Sequence, residues 1–333
     1  HLILVGPPGV GKTTLARDIA KRLPEVEIDE SELSLISLAD QEPSDTDGVG
    51  NTDSTTQSFD TAPDEKKKTA KGIQRFVRVQ GSPDLSVEDL IGDIDPIKAM
   101  KYGPMSVEAF TPGKIFKAHG GILFFDEVNR CSEKLQNSLL QVLEERRSTI
   151  GGYELDFKAD FLFIGTMNPK DFSTENLSEV FLDRFDLIQM SYPETLDIEN
   201  MIVLDRARSM LNLSKGQNKK LTNIIVAYTR SLRNSKKLEK FPSVRATIGL
   251  LERTQANALV QGREVMTHDD FKEAMESVLA HRIKLKPSVK YAQSPVDVLD
   301  EEFKAFTKAN NIDLENLQDS KSETPEENSG ESG

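Results

Sequence analysis

The run Gly6-Pro-Pro-Gly-Val-Gly-Lys-Thr13 has the residue types and the spacing of a loop that binds phosphate. It fits the pattern G-x-x-x-x-G-K-[ST], in which glycines let successive backbone N–H groups face phosphate oxygens. Lys12 could then reach the β and γ phosphates, and the Thr13 hydroxyl could ligate Mg²⁺. The alternative is a glycine-rich turn that holds no ligand. We expect nucleotide contacts from the whole run and the residue after it, namely Gly6, Pro7, Pro8, Gly9, Val10, Gly11, Lys12, Thr13 and Thr14.

Two adjacent carboxylates, Asp126 and Glu127, follow the apolar run Ile122-Leu-Phe-Phe. A buried strand of this kind would deliver both acids to the C-terminal edge of a parallel sheet, where the phosphate loop also lies. Asp126 is expected to hold Mg²⁺ directly or through water, and Glu127 to polarise the water that attacks the γ phosphate. A strand that simply ends in solvated acids is the alternative. The phosphate loop in the same chain favours the catalytic interpretation.

A third apolar run, Asp160-Phe-Leu-Phe-Ile-Gly-Thr-Met, ends at Asn168. Its amide could hold the attacking water between Glu127 and the γ phosphate. Asn-Pro is also an ordinary start of a turn, so Asn168 by itself would favour a structural role. Its position directly after a strand that follows the acid pair favours the catalytic one.

Two arginines could also act on a nucleotide. Arg184 lies just before the last predicted strand and could neutralise charge in the transition state, an effect that can be worth about 10³ to 10⁵ in rate. It could equally be a surface arginine paired with Asp183 or Asp186, which would add little stability. Arg245, near the start of a predicted helix, could lean over the nucleotide or could be an exposed helical arginine.

Hydrophobic periodicity predicts the elements that position these residues. Short apolar runs predict strands at 1–5, 75–79, 121–126, 160–165 and 186–190. Apolar residues at helical spacing predict helices at 12–23 and 133–146. Because strands and helices alternate, the fold class is α/β, a parallel sheet with helices on both faces. After Pro193 a small all-α domain is predicted, with helical stretches at about 195–212, 217–234, 243–262 and 267–282.

Composition divides the chain into segments. We expect a core over residues 1–192, an all-α domain over 193–286 and an acidic, disordered tail over 287–333. Residues 29–72 are polar and acidic, and we expect a disordered insertion there. The chain enters its first strand directly at His1, so we expect that residues precede it.

Charge and cysteine content limit the classes of function. With Lys+Arg 42 and Asp+Glu 55, the net charge is -13, which disfavours binding to a nucleic-acid backbone. The chain has a single cysteine, Cys131, so it can form neither an internal disulfide nor a multi-cysteine zinc site. No apolar run is long enough to span a membrane. These features predict a cytoplasmic protein.

Longer stretches of the sequence extend these motifs. They include Asp126-Glu-Val-Asn-Arg130 with Lys134-Leu-Gln-Asn-Ser-Leu-Leu140, Glu145-Arg-Arg and Gly151-Gly152, and also Ile91-Gly-Asp-Ile-Asp-Pro-Ile-Lys-Ala-Met100, Phe110-Thr-Pro-Gly113 and Ala280-His-Arg-Ile283. The first group resembles the MoxR proteins, and the second resembles the ATPase subunit of magnesium chelatase. Both belong to the helix-2-insert branch of the AAA+ ATPases, and the resemblance covers nearly all of residues 1–286 apart from the polar insertion.

The resemblance implies a P-loop AAA+ core followed by an α-helical lid, with ATP and Mg²⁺ as cofactors. It also implies a homo-oligomeric ring, usually of six subunits, with ATP at each subunit boundary. Arg184 matches the arginine finger supplied in trans, Asn168 the first sensor and Arg245 the second sensor in the lid. Segment 95–118 matches the helix-2 insert, a hairpin that typically faces the pore or a partner.

The implied activity is Mg²⁺-dependent ATP hydrolysis that remodels or matures a partner complex, and the common partner in this group is a von Willebrand A domain protein. An alternative is the ATPase subunit of a chelatase that inserts magnesium or cobalt into a tetrapyrrole. A motor acting on DNA is a third interpretation, and the net charge speaks against it.

Overall fold

The computed structural model describes residues 1–28, 68–103, 106, 109–149, 156–168, 177–214 and 216–312. The chain divides into two compact units, one made of His1–Pro7 and Gly11–Met190 and the other of Pro8–Val10 and Ser191–Gly333. Among the described residues, no helix has both the length and the hydrophobicity that a membrane span requires.

The strands, in chain order, are β1 (Leu2–Val5), β2 (Val26–Ile28), β3 (Lys68–Ala70), β4 (Phe76–Gln80), β5 (Gly92–Ile94), β6 (Phe110–Pro112), β7 (Ile122–Asp126), β8 (Arg147–Thr149), β9 (Asp156–Lys158), β10 (Leu162–Met167), β11 (Asp186–Gln189), β12 (Leu238–Lys240) and β13 (Lys284–Leu285). The α-helices are α1 (Lys12–Arg22), α2 (Val87–Ile91), α3 (Pro96–Tyr102), α4 (Lys114–Lys117), α5 (Glu133–Glu145), α6 (Glu179–Leu182), α7 (Leu196–Arg206), α8 (Gly216–Leu232), α9 (Val244–Val260), α10 (His268–Leu279), α11 (Pro287–Lys290) and α12 (Pro295–Ala309).

Within the described part of the first unit, five strands form a parallel sheet in the order β11-β1-β10-β7-β4. They are the five strands predicted from the apolar runs. Register fixes the neighbours, since Leu4 pairs with Thr166 and Gln80 pairs with Asp126. Because all five strands run the same way, their C-terminal ends meet at one edge of the sheet.

Both faces of this sheet are covered. One face packs Leu4, Phe124 and Ile164 against two alanines of α1, and the opposite face forms a larger core cluster that includes residues of α2, α4, α5 and α6. Strands buried on both faces are expected to be continuously apolar, and β7 is buried from Ile122 to Phe125. The predicted α/β class, with helices on both faces, is confirmed.

The C-terminal end of the expected disordered insertion is ordered in the structure. Residues 68–72 were expected to be disordered, but Lys68–Ala70 form β3, which pairs antiparallel with β2. Pairing satisfies the backbone N–H and C=O groups of these residues despite their polar composition. The rest of the expected insertion, residues 29–67, lies outside the described residues.

The second unit contains the predicted helices as α7 to α10, together with a short antiparallel pair of β12 and β13. The expectation that a disordered tail begins at 287 is wrong up to residue 312. Ser294 begins α12 with a capping box, and Val298, Leu299 and Phe303 of this helix are buried in the core of the unit. These apolar side chains recur at helical spacing, but acidic residues lie between them in the sequence and make the segment look like a polar tail.

A fully buried carboxylate, Glu199 in the first turn of α7, organises one side of this unit. Arg233 donates to both of its oxygens at 2.7 and 2.8 Å, and Arg230 donates to Oε2 at 3.0 Å. Arg230 also donates to the carbonyl of Pro193, and Arg233 to that of Pro242. The two arginines thus connect Glu199 of α7 with the end of α8 and with the segments that precede α7 and α9.

We expect Glu199→Ala to lower the free energy of unfolding by about 3 to 5 kcal/mol, because removing one partner leaves buried charge uncompensated. Urea denaturation followed by circular dichroism would measure the loss. Glu276→Ala, at an exposed position of α10, is the matched control and should change stability by less than about 0.5 kcal/mol. A loss below about 1 kcal/mol for Glu199→Ala would contradict this prediction.

Candidate functional site

The phosphate-loop sequence lies where the pattern requires it, between β1 and α1. Gly9 and Gly11 have φ values of 78° and 95°, a left-handed backbone that glycine adopts without strain. Gly11 is the N-cap of α1, whose first turn presents N–H groups without intrahelical acceptors. A Cβ at Gly6 would lie 2.3 Å from the backbone oxygen of Met190, so this position has no room for a side chain.

Lys12 and Thr13 occupy the first turn of α1 and are half-buried. The Lys12 ammonium donates to the carbonyl oxygens of Gly6 and Pro7 at 2.6 and 3.0 Å, and so lies against the loop itself. The amide of Gly6 donates to the carbonyl of Met167 at 3.1 Å. The loop is therefore fastened to the end of β10, the neighbouring strand.

The acid pair lies at the end of β7 and is joined to β10 by one side chain, Thr166. The Thr166 hydroxyl donates to Asp126 Oδ1 at 2.7 Å and accepts the backbone N–H of Glu127 at 2.9 Å. Thr166 is fully buried. A single hydroxyl thus fixes the position of both acids relative to the strand that lies between them and the phosphate loop.

Glu127 has a left-handed backbone with φ 59°, an uncommon conformation for a residue that is not glycine. Gly81 packs against this turn, and a Cβ there would lie 2.2 Å from the Glu127 carbonyl oxygen. The amide of Gly81 donates to the Asp126 carbonyl at 2.7 Å. Backbone strain of this kind persists where the surrounding structure imposes it, and it clusters at functional sites.

Strand β4 supplies polar partners to both acids. Arg78 Nη2 donates to Asp126 Oδ2 at 2.6 Å, and Gln80 Nε2 donates to Glu127 Oε2 at 3.0 Å. Arg130 forms an ion pair with the same Glu127 oxygen at 3.2 Å. Both carboxylates are held in defined directions as a result.

Asn168 directly follows β10, which lies between β1 and β7 in the sheet. Four C-terminal strand ends therefore meet along one edge in the order phosphate loop, Asn168, acid pair and Gln80. Asn168 thus lies at the edge that was predicted from the sequence, and its role as a sensor stays a prediction.

Arg184 is not at this edge. It precedes the N-terminal end of β11, where the amide of Asp186 donates to the carbonyl of His1, so it lies at the opposite edge of the sheet from the phosphate loop. Its guanidinium contacts Glu144 and donates to the carbonyl of Val180 at 2.6 Å. An Arg184 that acts on a nucleotide would consequently act on that of a neighbouring subunit.

Arg245 lies in the second unit, in the first turn of α9, and its side chain is exposed. Ser243 caps this helix by accepting the amide of Ala246. The role of Arg245 as a second sensor stays a prediction.

Three site residues, Thr166, Arg78 and Gln80, were not predicted from the sequence. A signal for Thr166 was available, because a hydroxyl inside an apolar strand needs a hydrogen-bond partner when it is buried. For Arg78 and Gln80 the signal was weaker. They alternate with Val77 and Val79, which predicts that they share one face, but not that the face lies beside the acid pair.

The residues at this edge suit a magnesium nucleotide. The loop combines left-handed glycines, a lysine and a helix N-terminus, which together favour an anionic phosphate group. Asp126 and Thr13 offer oxygen ligands, and Mg²⁺ commonly takes one or two such protein ligands together with phosphate oxygens.

Burial raises the pKa of the Cys131 thiol to about 11, which makes this cysteine an inert part of the core.

Comparison with protein families gives three matches along the chain. The family described as the ATPase family associated with various cellular activities (AAA) matches residues 2–80, and the AAA domain (dynein-related subfamily) matches residues 67–185. The AAA lid domain matches residues 240–302, which includes the beginning of α12.

Several curated relatives align over most of the chain. The uncharacterized protein YeaC of Bacillus subtilis is 30% identical over 65% of this chain and 71% of its own length. The magnesium-chelatase subunit ChlI homolog of Methanocaldococcus jannaschii is 29% identical over 94% of this chain and 86% of its own. The chaperone MoxR1 of Mycobacterium tuberculosis is 28% identical over 63% and 61%, respectively. The chain belongs to the AAA+ ATPases of the MoxR and magnesium-chelatase type, and it is an ATP-hydrolysing enzyme.

Proposed function

We propose that the chain assembles into a ring that hydrolyses Mg²⁺-ATP at its subunit boundaries and uses the energy to remodel or mature a partner complex. The observation that supports the chemistry best is the Thr166 hydroxyl, which links the two acids to the strand beside the phosphate loop. This link supports the proposal, because it ties Asp126 and Glu127 to the strand beside the loop.

Each residue at the edge has a defined task in this proposal. The loop amides and Lys12 bind the phosphates. Thr13 and Asp126 would hold a magnesium ion, whose positive charge would stabilise the negative charge that develops on the phosphates. Glu127 accepts a proton from the attacking water, and Asn168 orients that water. Arg184 of a neighbouring subunit and Arg245 of the lid complete the charge neutralisation.

Lys12→Ala should weaken ATP binding by about 10- to 100-fold, since a hydrogen bond from a charged donor contributes about 1.5 to 3 kcal/mol. Calorimetry with a non-hydrolysable ATP analogue would measure the affinity, and phosphate release the turnover. Lys21→Ala, in the last turn of α1 and paired with Asp18, is the matched control and should retain both. A Lys12→Ala protein that binds and hydrolyses ATP like the wild type would show that this loop does not bind the phosphates of ATP.

Helix α3, which lies within the predicted insert 95–118, supports the proposal of a partner complex. Ile97 and Met100 of α3 are 79% and 91% exposed. Exposed apolar side chains on one short helix favour contact with another protein. Copurification with the full-length chain, and the presence of a von Willebrand A domain in what copurifies, would test the expected partner class.

A second candidate function is the ATPase subunit of a chelatase. It is favoured by the alignment with the ChlI homolog, which extends over nearly the whole of this chain. This function predicts that a purified complex inserts magnesium or cobalt into a tetrapyrrole in an ATP-dependent reaction. A complex that hydrolyses ATP with its partner bound, but never metallates a porphyrin or corrin, would leave remodelling as the function.

A further inference from the structure

Arg78 lies on the face of β4 that points toward the acid pair. Gln80, two residues later on the same strand, pairs in register with Asp126, and Arg78 pairs with Phe124. Side chains two residues apart on a strand share a face, and a long side chain reaches its diagonal neighbour on the next strand. This geometry explains how Arg78 reaches the Asp126 carboxylate.

Both oxygens of Asp126 are engaged. Oδ1 accepts the Thr166 hydroxyl at 2.7 Å, and Oδ2 accepts Arg78 Nη2 at 2.6 Å. The Asp126 side chain is 17% exposed, whereas that of Arg78 is 49% exposed. The carboxylate is therefore anchored by Thr166, while the arginine is half in solvent and can move away at low cost.

Arg78 and a metal ion would compete for this carboxylate. A guanidinium in contact with one carboxylate oxygen would stand within a few ångströms of a Mg²⁺ ion on the same group, and like charges at that distance repel. A half-exposed ion pair is weak, so a divalent ion can displace it.

We propose that Arg78 is a built-in competitor of Mg²⁺ at Asp126, and that it sets the Mg²⁺ concentration at which the nucleotide is bound tightly. This inference rests on the proposed function, since it assumes that Asp126 ligates the metal of a bound nucleotide. Arg78 neutralises Asp126 until the metal nucleotide arrives, and then leaves the carboxylate.

The test measures binding rather than turnover. The full chain is mixed with a fluorescent, non-hydrolysable ATP analogue and titrated with Mg²⁺, and the Mg²⁺ concentration at half of the binding signal is recorded as the midpoint. A parallel titration with the nucleotide in EDTA measures nucleotide affinity without the metal. Arg78→Gln should lower the midpoint by about two- to fivefold, as expected for the loss of an exposed ion pair. Arg78→Lys keeps the positive charge and should lie closer to the wild type. Lys21→Gln, which breaks an exposed ion pair elsewhere on the same unit, should leave the midpoint unchanged.

Two results would overturn the inference. An Arg78→Gln midpoint equal to or above that of the wild type would show that Arg78 does not compete with the metal. Equal weakening of nucleotide binding in EDTA and in Mg²⁺ would show instead that Arg78 contacts the phosphates. Both results leave the proposed function standing, whereas a wild-type chain that binds no nucleotide at any Mg²⁺ concentration would refute both together.

Discussion

Arg184→Ala should reduce the rate of ATP hydrolysis by about 10³- to 10⁵-fold, the range over which an arginine stabilises the transition state of phosphoryl transfer. ATP affinity should stay near that of the wild type, because Arg184 lies at the sheet edge opposite the phosphate loop of its own subunit. Phosphate release and calorimetry measure the two quantities. Arg22→Ala, at an exposed position in the last turn of α1, removes a positive charge elsewhere and should leave the rate unchanged.

Subunit mixing tests whether Arg184 acts on a neighbour. Arg184→Ala subunits retain Glu127, and Glu127→Gln subunits retain Arg184, so a mixed ring contains some boundaries at which both groups are intact. Mixing the two inactive proteins should restore part of the activity. If mixed rings form but stay as inactive as their components, Arg184 does not act across the subunit boundary. Its role would then be structural, through the ion pair with Glu144.

Glu127→Gln should reduce turnover by about 10²- to 10⁴-fold, the usual contribution of a positioned general base. The amide keeps the size of the side chain and can still meet Gln80, but it cannot accept a proton from water. Nucleotide affinity should be retained, so the variant should hold ATP without consuming it. Single-turnover assays and a binding titration would separate these two effects.

The control for this variant is Glu273→Gln, at an exposed position of α10, which should hydrolyse ATP at the wild-type rate. A Glu127→Gln protein with more than about a tenth of the wild-type turnover would contradict the role of general base, since that role accounts for at least 10²-fold. Loss of nucleotide binding together with turnover would indicate instead that the acid supports the fold of the site.

Local patterns in the sequence were sufficient for the strands and for the loop. Strands β1, β7 and β10 are almost entirely buried, so their continuous apolar runs could be recognised without their neighbours. Strand β11, at one edge of the sheet, is exposed, and β4 alternates apolar with polar residues toward its end. Helix α12 was missed because composition was weighed above periodicity. Val298, Leu299 and Phe303 lie among acidic residues, yet they form the buried side of the helix.

The contacts of the acid pair could not be predicted in this way, because they depend on pairing between distant segments. The sheet order places β7 between β4 and β10. Strict strand alternation would also send Asp126 and Glu127 to opposite faces. The left-handed backbone of Glu127 ends the alternation, so that both acids meet side chains from one face of β4.

The shared hydroxyl of Thr166 makes the two oxygens of Asp126 unequal. A hydroxyl carries one proton, and because its oxygen already receives the amide of Glu127, that proton is committed to Oδ1. The hydroxyl therefore has one orientation, and Oδ2 remains for Arg78, whose side chain is half-exposed. A cation that binds Asp126 through Oδ2 accordingly meets a carboxylate whose rotation is restricted, because the buried hydroxyl holds the other oxygen in place.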